Sequence, residues 1–275
     1  MQPKLGIIAG GGNLPRRIID VCRATQRAFY VIAVEGHALA DELYDVPHSW
    51  LRIGTAASGI KILKQENVQE IVMIGDVKMP SLRELRPDLK TAAFFAKIGT
   101  RALGDNSLLS AVAQELEKEG FKIIGVDEIL NDLLAPEGLL GAVEIADEFS
   151  GDVKIGIEAA LQLGARDIGQ AVIVRAGDIL LEEDRTGTAA MMVRGRDGEL
   201  DVAGGLLVKL KKPGQDRRMD LPTIGADTIQ QAHEAGLKGI VIQAGETLIV
   251  DLAAMIAVAD EAGIFVQAIT LGESD

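Results

Sequence analysis

The chain has 275 residues, 48% of them hydrophobic but only 3% aromatic, so its interior must be built from Ala, Leu, Ile and Val. A formal charge of -13 argues against nucleic acid as a partner, because phosphate backbones favour basic faces. The single cysteine, Cys22, excludes an internal disulfide. No run approaches 18 apolar residues and the N-terminus lacks a signal-peptide core, which predicts a cytoplasmic protein without a membrane span.

In chain order, the apolar run "KLGIIA" (4–9) ends in glycines and predicts a buried parallel strand. Pro15 suits the first turn of a helix, and Ile18, Ile19 and Cys22 give that helix its apolar stripe. "FYVIAV" (29–34) and "SWLRI" (49–53) read as further strands. A helix over 56–66 follows, then strand "EIVMIG" (70–75). Short helical pieces are expected over 81–97, and an amphipathic helix from Asn106 to Gly120 leads into strand "FKIIG". Strand–helix alternation with apolar strands predicts an α/β fold. Its N-terminal domain, residues 1–134, is Rossmann-like, with a parallel sheet suited to a nucleotide or phosphate.

"LLAPEG" (133–138) interrupts the pattern, and residues 135–138 are taken as the linker. Beyond it, a helix over 150–164 precedes a hairpin turning at Ala176-Gly177-Asp178. Strand "GGLLVKL" (204–210), helix 224–235, strand "GIVIQ" (239–243), a turn at Ala244-Gly245, strand "TLIVD" (247–251), helix 253–262 and strand "IFVQAI" (264–269) complete the chain. Residues 139–275 thus read as a mixed α/β catalytic domain with antiparallel elements.

Two stretches carry chemistry. In "IIAGGGNLP", Gly10, Gly11, Gly12 and Asn13 lie between a strand and a helix, where backbone N–H groups can meet a phosphate. As a dinucleotide fingerprint the stretch is defective, since Pro15 stands at the third glycine position, although Glu35 lies where a ribose-binding acid would be. A dinucleotide site, another phosphate cradle and a purely structural turn all stay open. In "KKPGQDRRMDLPTIG" (211–225), Lys211, Lys212, Arg217 and Arg218 crowd beside Asp220 in an otherwise acidic chain. That is either a solvated loop or a clamp for a diphosphate, with Asp220 holding a metal or steering water. Asp76 closes a predicted parallel strand, where open sheets bind ligands, whereas Asp105 reads first as a helix cap. His37, His48 and His233 have no metal-cluster spacing.

The ordered set "LGIIAGGGNLP", "EKEGFKIIG", "LLAPEGLL", "DIGQAVIV", "KKPGQDRRMDLPTIG" and "GETLIVDLAAMIAVAD" resembles the UDP-2,3-diacylglucosamine pyrophosphatases of the LpxI type over essentially the whole chain. The resemblance implies hydrolysis of UDP-2,3-diacylglucosamine to UMP and lipid X in lipid A biosynthesis, with Mg²⁺ or Mn²⁺. It implies two domains holding a nucleotide-linked glycolipid, a homodimer, and transient contact with a membrane surface. By position in the DLPTIG motif it gives Asp220 the catalytic role. Thr223 of the same motif is taken as a substrate-binding candidate, and Asp220, Glu183 and Asp76 as the carboxylates available to a metal. Three places depart from the family pattern: Thr186 and Ala189 replace acids in the Glu-Gly-Thr-Asp segment, Gln243 replaces Glu, and Asn106 replaces Asp. Those losses keep a non-catalytic nucleotide-sugar-binding protein in play, with an NAD-dependent oxidoreductase as the remaining alternative.

Overall fold

A computed structural model describes residues 2–77, 87–88, 91–93, 105–198 and 200–272, with the backbone alone for 105–107. The expected helical pieces over 81–97 fall mostly outside the described residues; Thr91–Ala93 are helical. The fold is α/β. Its backbone divides into two units, residues 1–131 with 216–220, and residues 132–215 with 221–275.

The first unit is built on a five-stranded parallel sheet. Leu5–Ala9 (β1), Phe29–Val34 (β2), His48–Leu51 (β3), Glu70–Ile74 (β4) and Lys122–Ile123 (β5) stand in the order β3-β2-β1-β4-β5. β1 is the central strand and nearly all of it is buried, so an unbroken apolar run is what its two covered faces require. Helix Leu14–Ala24 (α1) has Pro in its first turn and buries Leu14, Ile18, Ile19 and Cys22. Helices Ala56–Gln65 (α2) and Asp105–Lys118 (α3) bring Ile60, Leu63, Ala113 and Leu116 into one cluster with Ile71 and Ile123. Met219 joins that cluster. Its chain neighbours 216–220 are therefore counted with the first unit although they lie deep in the C-terminal half of the sequence.

The second unit is a six-stranded mixed sheet. Gly138–Leu140 (β6), Ala171–Arg175 (β7), Asp178–Glu182 (β8), Leu206–Lys209 (β9), Gly239–Gln243 (β11) and Phe265–Ile269 (β13) stand in the order β6-β13-β11-β9-β7-β8. β9, β11 and β13 run parallel; β6, β7 and β8 are antiparallel to their neighbours. Helix Ser150–Ala165 (α4) covers one face through Ala160 and Leu163. Helices Thr188–Arg196 (α5), Ala226–Glu234 (α6) and Leu252–Ala262 (α7) cover the other through Met191, Ile229, Ala232 and Met255. The strands alternate accordingly, as period-2 side-chain placement demands: Leu206 and Val208 face α4, and Leu207 faces the other helices.

The expected strand 247–251 shrinks to Leu248–Ile249 (β12), which pairs in parallel with Thr223–Ile224 (β10). A turn does form at Ala244-Gly245, but the Ala135 segment enters beside it. Gly245 N–H donates to Ala135 O, and Ala135 N–H donates to Thr247 O. Helix α5 and strand β6 are elements that sequence patterning did not single out.

Candidate active site

In the first unit the strand order reverses between β1 and β4. Ligands of open α/β sheets bind at the carboxyl ends of strands at such a reversal. Gly10–Asn13 leave the end of β1 there, and Gly75–Asp76 leave the end of β4. The two exits are tied by a two-way bridge: Gly11 N–H donates to Asp76 O at 2.9 Å and Asp76 N–H to Gly11 O at 3.0 Å. Gly10 is buried under this bridge. A Cβ on it would come within 2.7 Å of the carbonyl oxygens of both Gly75 and Asp76, so only glycine fits. Gly12, at φ +81°, and Asn13 are exposed at the start of α1, where the Asn13 side chain makes no capping bond. Helix α2 differs, since Asp88 and Thr91 accept hydrogen bonds from the amides of Ala57 and Ala56 at its N-terminus. The loop expected to cradle phosphate and Asp76, singled out separately at a strand end, are thus brought together. Glu35 lies exposed past the end of β2.

The basic stretch is divided between the units. Lys211 and Lys212 belong to the second, Arg217, Arg218 and Asp220 to the first. Every cation of the stretch stands against a carboxylate: Lys211 against Glu246 at 3.2 Å, Lys212 against Asp167 at 2.9 Å, and Arg217 against Asp127 at 2.8 Å. Arg218 reaches Glu117 and Asp216, each at 2.7 Å. The bond to Asp216, then that to Glu117, pushes the Arg218 guanidinium pKa up, while Arg218 holds the Asp216 carboxyl below the usual carboxylate range. The side chain of Lys212 is 9% exposed. Asp220 is exposed, and its backbone N–H donates to Asp216 O at 3.3 Å. Thr223 is half-buried in β10, its hydroxyl donating to Leu221 O.

Glu183 lies just past β8 in the second unit and is 6% exposed. It accepts from Gln170 N–H at 2.6 Å and from the Thr188 hydroxyl at 2.7 Å, so both carboxylate oxygens already hold protein donors. Thr188 is in the Thr186–Ala189 segment, which opens α5 after Gly187 at φ +89°. The Gln243 amide oxygen accepts from Lys211 N–H at 3.3 Å. Asp105 begins α3, and its side chain, like that of Asn106, lies outside the described residues. Among the described residues, no three His, Cys, Asp or Glu side chains are grouped as a preformed metal cage.

Sequence patterning did not find the carboxylates facing the cations, Glu117, Asp127, Asp167 and Glu246. They are tens of residues away in sequence and follow no spacing rule. Lys209 was legible in principle, as the lone charge at the end of an apolar strand.

Comparisons with known proteins agree along the length of the chain. Residues 4–133 match the LpxI N-terminal domain and residues 136–267 the LpxI C-terminal domain. A relative named UDP-2,3-diacylglucosamine pyrophosphatase LpxI, from Caulobacter vibrioides, is 39% identical over 271 residues, covering 96% of this chain and 96% of the relative. The chain therefore belongs to the LpxI family.

Proposed function

We propose that this protein hydrolyses the pyrophosphate bridge of UDP-2,3-diacylglucosamine, releasing UMP and 2,3-diacylglucosamine 1-phosphate, a step in lipid A biosynthesis. The observation that carries this reading is the 39% identity, over nearly the whole of both chains, to a relative named for that activity. Supporting it, the acid of the DLPTIG motif, Asp220, is exposed to water rather than buried in the core.

In this reading Asp220 is the catalytic residue, orienting a water molecule or holding a divalent ion. The exposed Gly12 and Asn13, with Gly11, take phosphate oxygens at the start of α1, and Gly10 fixes the turn behind them. Lys211, Arg217, Arg218 and Thr223 are the further substrate-binding candidates of this reading, the cations exchanging some carboxylate pairing for phosphate. Lys212 is too enclosed to release its partner as readily. Mg²⁺ or Mn²⁺ suits this donor set, because Mg²⁺ commonly takes one or two carboxylates, substrate phosphates and waters rather than a protein cage. Asp220 and Asp76 are the better-suited ligands, and Glu183 the less suited. The ion would neutralise charge developing on the phosphate oxygens.

The substrate's acyl chains imply work at a membrane surface. No described helix is long and apolar enough to cross a bilayer, which is compatible with contact from one side. A homodimer belongs to the same reading, and light scattering would count the protomers.

The test is UMP release from UDP-2,3-diacylglucosamine with Mg²⁺ or Mn²⁺. Asp220→Ala should lower kcat by about 10²–10⁴-fold while substrate binding changes little. Unmutated protein no faster than Asp220→Ala would end the proposal. A second reading, binding without hydrolysis, is favoured by Gln243 and by the Thr186–Ala189 segment, where acids are replaced. Tight substrate binding with no UMP release by the unmutated protein selects it.

A further inference from the structure

Lys209 ends β9, the strand whose four residues are all buried. Side-chain alternation sets it on the same face as Leu207, toward α5, α6 and α7, in a position that the pattern reserves for an apolar side chain. It is 8% exposed. An ammonium group in such a place is unfavourable unless hydrogen-bonded. Its Nζ donates to the main-chain carbonyl of Thr223 at 3.1 Å.

That carbonyl is the one strand pairing passes over. β12 draws on the carbonyls on either side of it: Leu248 N–H donates to Pro222 O at 2.8 Å and Val250 N–H to Ile224 O at 3.1 Å. Successive carbonyls of a strand point in opposite directions, so Thr223 turns its oxygen away from β12, and Lys209 receives it. Upstream of Asp220 a second lysine does comparable work. Lys212 pairs with Asp167, its N–H donates to the Gln215 side chain at 3.0 Å, and its carbonyl accepts from Gln215 N–H at 3.1 Å. The five residues 216–220 thus leave and re-enter the second unit through segments each held by a buried lysine.

We propose that Lys209 is a positioning residue for turnover: by holding the Thr223 carbonyl it fixes Leu221–Gly225 and so the place from which Asp220 is presented. The idea rests on the reading of Asp220 as the catalytic residue. Lys209 itself need not touch the substrate.

The experiment combines steady-state kinetics on UDP-2,3-diacylglucosamine with amide hydrogen exchange on Lys209→Met, Lys209→Gln and Lys209→Arg. Misplacing a reacting group by about 1 Å can slow turnover by about 10²-fold. Lys209→Met should therefore lose about 10–100-fold in kcat with KM within about threefold. Exchange should quicken at 221–225 and stay unchanged in β11 and β13, and Lys209→Arg should recover most of kcat. Unchanged kcat and unchanged exchange at 221–225 would overturn the proposal. So would faster exchange spread evenly over the second unit, or failure of both Lys209→Met and Lys209→Gln to fold, since either marks a general core role. If the unmutated protein releases no UMP, the proposed function fails by itself. The exchange result at 221–225 then still decides whether Lys209 is the anchor.

Discussion

Gly10 shows how tightly a single position can be held. Two backbone oxygens at 2.7 Å from a would-be Cβ cannot swing aside as a flexible side chain could. Gly10→Ala should therefore cost about 1–3 kcal/mol of stability, measured by denaturant unfolding, and should weaken nucleotide binding as the loop shifts. Asp216 offers a pH test. Its folded pKa lies below the unfolded value of about 3.9, so its contribution is complete above that value and is lost as pH falls through the folded pKa. The melting temperature of the unmutated protein should consequently fall more steeply below about pH 4 than that of Asp216→Asn. Cys22 is buried in the stripe of α1, and burial pushes its thiol pKa up. It should resist thiol reagents until the protein unfolds.

At the scale of elements, the β7–β8 hairpin is the best-specified local structure in the second unit. Its turn places Ala176 at φ +50° and Gly177 at φ +88°, the pair of positive angles that matches the twist of two antiparallel strands. Asp152, on α4, accepts from both turn amides, at 2.9 and 2.7 Å. Alanine is a poor choice for a left-handed position, and Ala176→Asn should stabilise by about 0.5–1 kcal/mol. Asp152→Ala should destabilise by about 1–3 kcal/mol, because two N–H groups lose their acceptor, with chemical denaturation measuring both. The hairpin could be read from the sequence because its pattern, turn residues and alternation are contiguous. The pairing of β10 with β12 could not. Each has only two paired residues, and their partnership depends on where Ala135 and Pro222 enter.

For the whole molecule, the exchanged segment 216–220 matters most. Met219 is 6% exposed among Ile71, Leu116 and Ile123 of the first unit, although it is encoded almost 90 positions after that unit's main stretch ends. Met219→Ala should cost about 2–5 kcal/mol. The loss should appear as faster amide exchange in β4 and α3 rather than in β11 or β13. Such a result would show that the core of the first unit is completed from the far half of the chain.

Composition and local pattern by themselves determined the α/β class, most of the long helices and strands, and the glycine turn after the first strand. These are legible because burial imposes a period of 2 or 3.6 on contiguous residues and because glycine marks sites where no Cβ fits. The motif order also carried the family. Only the tertiary structure decided which carboxylate faces each cation of the 211–225 stretch, that Glu183 is occupied by Gln170 and Thr188, and that a buried lysine holds Thr223. Charge pairing and carbonyl capture depend on distance in space. Residues up to about a hundred positions apart can satisfy one another with no local periodicity to announce it.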